Sequence, residues 1–185
     1  MKEQSDQDIL KWMTTQGQQE KGFRCLLSKY QERLYWHIRK IVVSHEDADD
    51  VLQNTFIKVY RGIDRFQGQS ALYTWMYRIA TNESLTHLQK MKRISAGAID
   101  DEALLLHNKL VAEKHFDGNI IQETLQKALL TLPAKQRMVF NMKYFDNMKY
   151  QEISEILETS VGALKASFHH ARQKIETYIK NSEII

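Results

Sequence analysis

The sequence predicts an all-α protein of two small helical domains joined by an acidic linker, and three observations carry that expectation. Apolar residues recur at intervals of three and four over most of the chain, the period of a helix with one buried face. Seven glycines and one proline among 185 residues are too few turn formers for the many short strands of an all-β fold. Near the middle, the stretch from Ser95 to Asn119 departs from its flanks. It carries five carboxylates (Asp100, Asp101, Glu102, Glu113, Asp117) against two lysines (Lys109, Lys114), with Gly97 and Gly118 near its ends, which reads as a linker.

Helical periodicity places elements at about 6–16, 18–43, 46–62 and 70–92, then at about 120–131, 133–144, 149–157 and 161–180. The domains are expected at 1–93 and 120–185, with the linker at 94–119 and a short helix within ALLLHNKLVAEK. Ser44 with Asp47 three residues on resembles a capping box, and Glu46, Asp47, Asp49 and Asp50 suit the positive end of the helix dipole. That accounts for the acidic cluster without a metal ion. Ala48, Val51, Leu52, Thr55, Phe56 and Val59 form the buried face of this helix, leaving Asp50, Gln53, Asn54, Ile57 and Arg61 opposite. Ile57 is an apolar knob in a polar face. From position alone it reads equally as an ordinary exposed side chain or as the centre of a protein contact.

Composition narrows the function. Charged residues make up 26% with both signs mixed, and the net charge of +3 gives a pI near 8.8, which permits an anionic partner without demanding one. No apolar run approaches the ~20 residues of a membrane span, and MKEQSDQDIL lacks the apolar core of a secretory signal. A cytoplasmic protein without membrane insertion is expected. Cys25 is the sole cysteine and reads as core packing. The histidines lack the i, i+3 or i+4 spacing of zinc ligands on a helix, and there is no phosphate-binding glycine loop or serine elbow. No catalysis and no cofactor are expected.

SALYTWMYRIATNESLTHLQKMKR poses a separate question. Leu72, Trp75, Met76, Ile79 and Ala80 gather on one face, while Trp75, Arg78 and Asn82 line its flank and continue through Thr86 and Gln89 to Arg93. An aromatic, a guanidinium, an amide and cations in a row suit an unstacked base and its phosphates; a half-buried Trp beside a solvated flank is the plainer reading.

The last two helices form a helix-turn-helix pattern. Ser160 is the N-cap of the second, whose inner stripe is Val161, Leu164, Phe168, Ala171 and Ile175. Gly162, Ala163, Ala166, His170 and Gln173 face away, flanked by Lys165, Ser167, Arg172 and Lys174. Small residues at the start of an exposed face let a helix sit deep in a major groove, and flanking cations reach phosphates. A solvated helical hairpin remains the alternative.

Four segments in order resemble the extracytoplasmic-function group of sigma-70-type bacterial RNA polymerase sigma factors: DADDVLQNTFIKVY, FQGQSALYTWMYRIATNESL, LPAKQRMVFNMKYFDNMKYQEISEIL and SVGALKASFHHARQKI. The resemblance covers about residues 6–180. It implies a non-catalytic subunit that docks on core RNA polymerase, through the clamp helices of the largest subunit and the flap of the second-largest, and opens promoter DNA. Asp50, Gln53, Asn54, Ile57 and Arg61 would then meet polymerase. Ser70, Trp75, Arg78, Asn82, Lys90, Lys92 and Arg93 would hold the minus-10 strand. Ser160, Gly162, Ala163, Lys165, Ala166, Ser167, His170, Arg172, Gln173 and Lys174 would meet the minus-35 duplex. An anti-sigma factor is a further partner that the resemblance suggests. One row departs from the family: where it usually reads Thr-Val-Lys-Ser-Arg, Ala163, Leu164, Lys165, Ala166 and Ser167 stand here, and His170 takes a place where Arg is common. The alternatives are a helix-turn-helix regulator that binds duplex DNA unaided, and a helical adaptor with no nucleic-acid role.

Overall fold

The computed structural model describes residues 4–95, 106 and 120–182. Among them are eight α-helices: α1 (Asp6–Thr14), α2 (Gln19–Val42), α3 (His45–Gly62), α4 (Leu72–Ser95), α5 (Ile120–Leu130), α6 (Ala134–Tyr144), α7 (Tyr150–Leu157) and α8 (Val161–Asn181). A 3-10 turn, Ile63–Arg65, follows α3. Each helix falls within a few residues of its expected bounds. The start of α4 moves from Ser70 to Leu72 because the first turn is closed by Trp75 N–H donating to the Ala71 carbonyl. The short helix expected within the linker lies outside the described residues, except that Leu106 is helical and fully buried.

Local chemistry fixes several junctions. The Ser5, Ser44 and Ser160 hydroxyls each accept from a backbone N–H in the first turn of the helix that follows, satisfying donors that the helix itself cannot. Val43 ends α2 at φ 69°, a conformation costly for a β-branched residue. Its buried side chain belongs to the core cluster, which offsets that cost.

Helices α1 to α4 pack around Leu26, Leu34, Ile38, Val59, Met76 and Ala80, all fully or almost fully buried. Full burial of each large aliphatic contributes about 1.5–3 kcal/mol relative to exposure. The C-terminal helices have their own smaller cluster: Ala128, Leu129, Leu132, Phe140, Ala171 and Ile175. The two helical domains are not merely tethered. Helix α7 lies on α4 and α6 on α2, and Val139, Met142, Met148, Ile153, Ile156 and Leu164 join the cluster built by α1 to α4.

Candidate docking groove and nucleic-acid interface

Helices α2 and α3 enclose a groove of about 850 Å³. Its floor is apolar, formed by Phe23 and Leu27 from α2 and by Leu52, Phe56, Ile57 and Tyr60 from α3. The Phe23 ring meets Phe56 and Tyr60 edge-on, with centroids 6.2 and 5.2 Å apart. Glu20, Gln31, Asp49, Gln53 and Arg61 form a polar rim. An apolar centre inside a polar rim is the anatomy of a protein-protein contact, and a groove between two helices admits a helical partner. Ile57 is 41% and Tyr60 47% exposed, so part of the apolar floor is open to solvent. Of the residues expected at a docking face, Gln53, Ile57 and Arg61 line the groove, whereas Asp50 and Asn54 are exposed on α3 outside it. Phe23, Leu27 and Tyr60 were not expected there. The two from α2 read in sequence as part of an ordinary buried stripe, and only the packing of α2 beside α3 reveals them.

On α4, Arg78, Asn82, Lys90, Lys92 and Arg93 are exposed, as the polar stripe predicts. Ser70 and Trp75 are half-buried. The Trp75 ring packs 5.2 Å from Phe66, and a Cβ at Gly62 would stand 3.4 Å from it, in ordinary van der Waals contact. Trp75 therefore serves the packing of the loop before α4 and remains partly exposed beside Arg78. Asn82 spends its carbonyl on the Thr86 hydroxyl, and its side-chain amide has no hydrogen bond among the described residues. The helix is also buried on a side that its apolar pattern hides. Thr74, Thr81 and Ser84 are buried there, and the Thr81 and Ser84 hydroxyls bond the carbonyls of Tyr77 and Ala80 one turn back. Two buried sides leave a narrow exposed stripe, which carries Arg78 and Asn82.

Helices α7 and α8 form the expected helix-turn-helix. Glu158 makes the turn at φ 50°, its N–H donating to the Ser154 carbonyl, and Ser160 caps α8 through Ala163 N–H at 3.4 Å. Leu164, Ala171 and Ile175 are buried, and Val161 and Phe168 half-buried. Ser160, Gly162, Ala163, Lys165, Ala166, His170, Arg172, Gln173 and Lys174 are exposed, with Ser167 half-buried at the flank. Among the described residues, and apart from its two chain neighbours and the helix's own backbone, nothing lies within 4 Å of the Gly162 Cβ position, so the start of α8 is open to a close approach. Arg172 is bonded to Glu176 at 2.6 Å; this exposed pair is weak and would yield readily to a phosphate.

The chain thus combines, in an all-α fold, an apolar groove between α2 and α3, an exposed polar stripe on α4 and a helix-turn-helix. Comparisons with known proteins make this specific. Residues 26–94 match the model of Sigma-70 region 2, and residues 122–175 that of Sigma-70, region 4. The ECF RNA polymerase sigma-E factor of Escherichia coli K12 is 30% identical over 188 aligned positions, covering 97% of each chain. The ECF RNA polymerase sigma factor SigW of Bacillus subtilis is 29% identical, over 86% of this chain and 90% of that protein. The fold matches the sigma factor RpoE solved with the anti-sigma factor NepR from Bartonella quintana, at a TM-score of 0.71 and 22% identity over 88% of this chain and 99% of that one. It also matches CnrH solved with the cytosolic domain of CnrY, at 0.70 and 19% over 96% and 99%. The chain belongs to the ECF RNA polymerase sigma factors. It is thus a promoter-directing factor of transcription initiation, and neither the polymerase-independent regulator nor the adaptor is favoured.

Proposed function

We propose that this sigma factor docks on core RNA polymerase through the groove between α2 and α3, holds the opened minus-10 strand on α4, and reads the minus-35 duplex with α8. Residues 1–93 then form the docking and melting domain, 94–119 the linker, and 120–185 the minus-35 domain, which also meets the polymerase flap. The chain supplies no catalytic group of its own; synthesis belongs to the polymerase. It acts in the cytoplasm, where polymerase and promoters are, and no helix among the described residues is long and apolar enough to cross a membrane. An anti-sigma factor is a natural antagonist for such exposed faces, and the similar RpoE of Bartonella quintana was solved in complex with the anti-sigma factor NepR.

The apolar floor of the groove, with Ile57 projecting from it inside a ring of polar groups, is the observation that carries this reading. A carboxylate placed on that floor would have to be desolvated against Phe23 and Phe56. Ile57→Glu is expected to leave the helix content and melting of the free chain unchanged, because Ile57 belongs to neither core cluster. It should weaken core polymerase binding by about 2 kcal/mol, roughly thirtyfold. Unaltered co-purification with core polymerase would remove the groove as the docking site.

A further inference from the structure

The outer face of α8 carries a pair of histidines. At about 100° per residue, Gly162, Ala166 and Gln173 form the centre of that face, and His169 and His170 stand on either side of it. Both are exposed, with ring centroids 6.0 Å apart and planes inclined at 61°. Neither ring has a hydrogen bond or ion pair among the described residues. Gly162, Ala163 and Ala166 have no side-chain donor, so the hydrogen-bonding capacity at the centre of the face rests with Gln173 and the two imidazoles. The flanking cations are partly committed: the Lys165 ammonium sits 5.9 Å from the Tyr150 ring, and Arg172 is bonded to Glu176.

The charges around the pair are cationic or already engaged. Within about a turn on α8 stand Lys165, Arg172 and Lys174, with Glu176 held by Arg172. Helices α5, α6 and α7 pack against α8 on the side that buries Leu164, Ala171 and Ile175. Of their charged groups, Glu123 and Lys127 of α5 pair with each other at 2.6 Å, the Lys143 ammonium of α6 donates to the Met148 carbonyl, and Glu152 of α7 accepts from the Lys149 N–H. Arg137 is buried, and Lys135, Lys149, Glu155 and Glu158 are exposed. None of these is bonded to either imidazole, so no carboxylate among the described residues is in place to hold a proton there. A DNA phosphate would be.

We infer that His169 and His170 couple minus-35 binding to proton uptake, so that the polymerase-bound factor holds its promoters more tightly as pH falls through neutrality. The inference rests on the proposed seating of α8 in the minus-35 groove and deepens it. Histidine is the side chain that ordinarily changes charge between about pH 5 and 8. A neutral ring has one N–H donor and a protonated ring two, and negative charge close by favours the protonated form. Rings carried into a groove walled by phosphates therefore bind protons as the helix binds DNA. The complex then holds more protons than its separated parts, so lowering the pH favours the complex and raising it favours release. An arginine in either place would stay charged throughout; histidine makes the contact conditional.

The test is the affinity of the full chain with core polymerase for a promoter duplex spanning both elements, measured at constant ionic strength from about pH 8.5 to about pH 5.5. A duplex cut short of the minus-35 element is the reference, since it reports the pH response of polymerase and of the minus-10 contacts. If the minus-35 DNA raises the proton affinity of each ring tenfold, the advantage of the long duplex should grow by about tenfold per histidine over that range. His169→Gln and His170→Gln should each remove about half of the response on a logarithmic scale, and the double variant should show none. His170→Arg should bind the long duplex more tightly than wild type at about pH 8.5 and keep only the share due to His169. Both positions are exposed, so circular dichroism should be the same for every form. A pH response that survives intact in the double variant would overturn the inference, as would a minus-35 advantage independent of pH in the wild type. If the long and short duplexes bind every form equally at every pH, the seating of α8 fails and this inference falls with it.

Discussion

Asn82 shows what a single side chain can reveal and what it cannot. It stands exposed between Arg78 and Thr86 on α4, and an amide with free donors and acceptor can read the edge of an unpaired base. Asn82→Ala should leave the fold unchanged, because neighbouring Thr81 and Ser84 supply the buried side of the helix. It should cost open-complex formation about 1–3 kcal/mol, with partial recovery on templates already unpaired around minus-10. Loss confined to duplex binding upstream would remove Asn82 from the melting surface. The exposure of both Asn82 and Ile57 was legible in the sequence, Asn82 as part of a polar stripe and Ile57 as an apolar residue set in a polar face. His37 was not: its partner Asp146 lies 109 positions away, and a histidine on a helix face carries no sign of what a second domain will place against it. Phe23 and Leu27 were hidden for a related reason, since a groove floor and a core stripe have the same spacing within one helix.

Among the elements, helix type and extent were the most legible features, because one buried face per helix repeats its period several times and averages out local exceptions. Junctions were less so. The 3-10 turn Ile63–Arg65 follows the helix expected at 46–62 without a sequence signal of its own, and the turn between α7 and α8 holds Glu158 in the left-handed region, φ 50° and ψ 45°. A side chain there carries a backbone penalty of about 1–2 kcal/mol that glycine avoids. Glycine loses about 0.5–1 kcal/mol of this through the greater freedom of its unfolded chain. Glu158→Gly should therefore stabilise the chain by about 0.5–1 kcal/mol, seen as a higher urea midpoint at constant slope. Minus-35 binding should be unaffected, since Ser160 and the exposed face of α8 keep their places. A lower midpoint would show that the Glu158 side chain contributes more than its strained backbone costs.

At the scale of the whole molecule, the sequence shows two helical blocks and a tether, but not that the blocks share a core. That core is assembled from α1 to α4 together with α6, α7 and Leu164 of α8, elements that look self-sufficient when read alone. Asp146 couples the halves electrostatically, and its titration should be visible in the stability of the whole chain. Burial alone would raise its carboxyl, but the His37 ring and Lys40 ammonium on α2 outweigh this and hold it below its ordinary value of 3.8. From the facing α4, burial and then this same carboxylate push the Tyr77 phenol up to about 12, so Tyr77 stays neutral across the acid range. The sign follows from proton binding. Between the lowered folded value and 3.8 the unfolded chain holds more protons than the folded one, so the Asp146 contribution is complete above 3.8 and is lost as pH falls through the folded value. Asp146→Asn keeps the shape and one acceptor but removes the charge, and near pH 5 it should cost about 1.5–3 kcal/mol, the worth of hydrogen bonds to a charged group. Urea unfolding of both proteins from about pH 5 into the acid range should show that difference holding until the pH nears 3.8 and shrinking below it, as protonation makes the wild type resemble the variant. A difference that stays constant over that range would mean that His37 and Lys40 do not hold the carboxylate ionised, and that the two domains are joined by their apolar contacts alone.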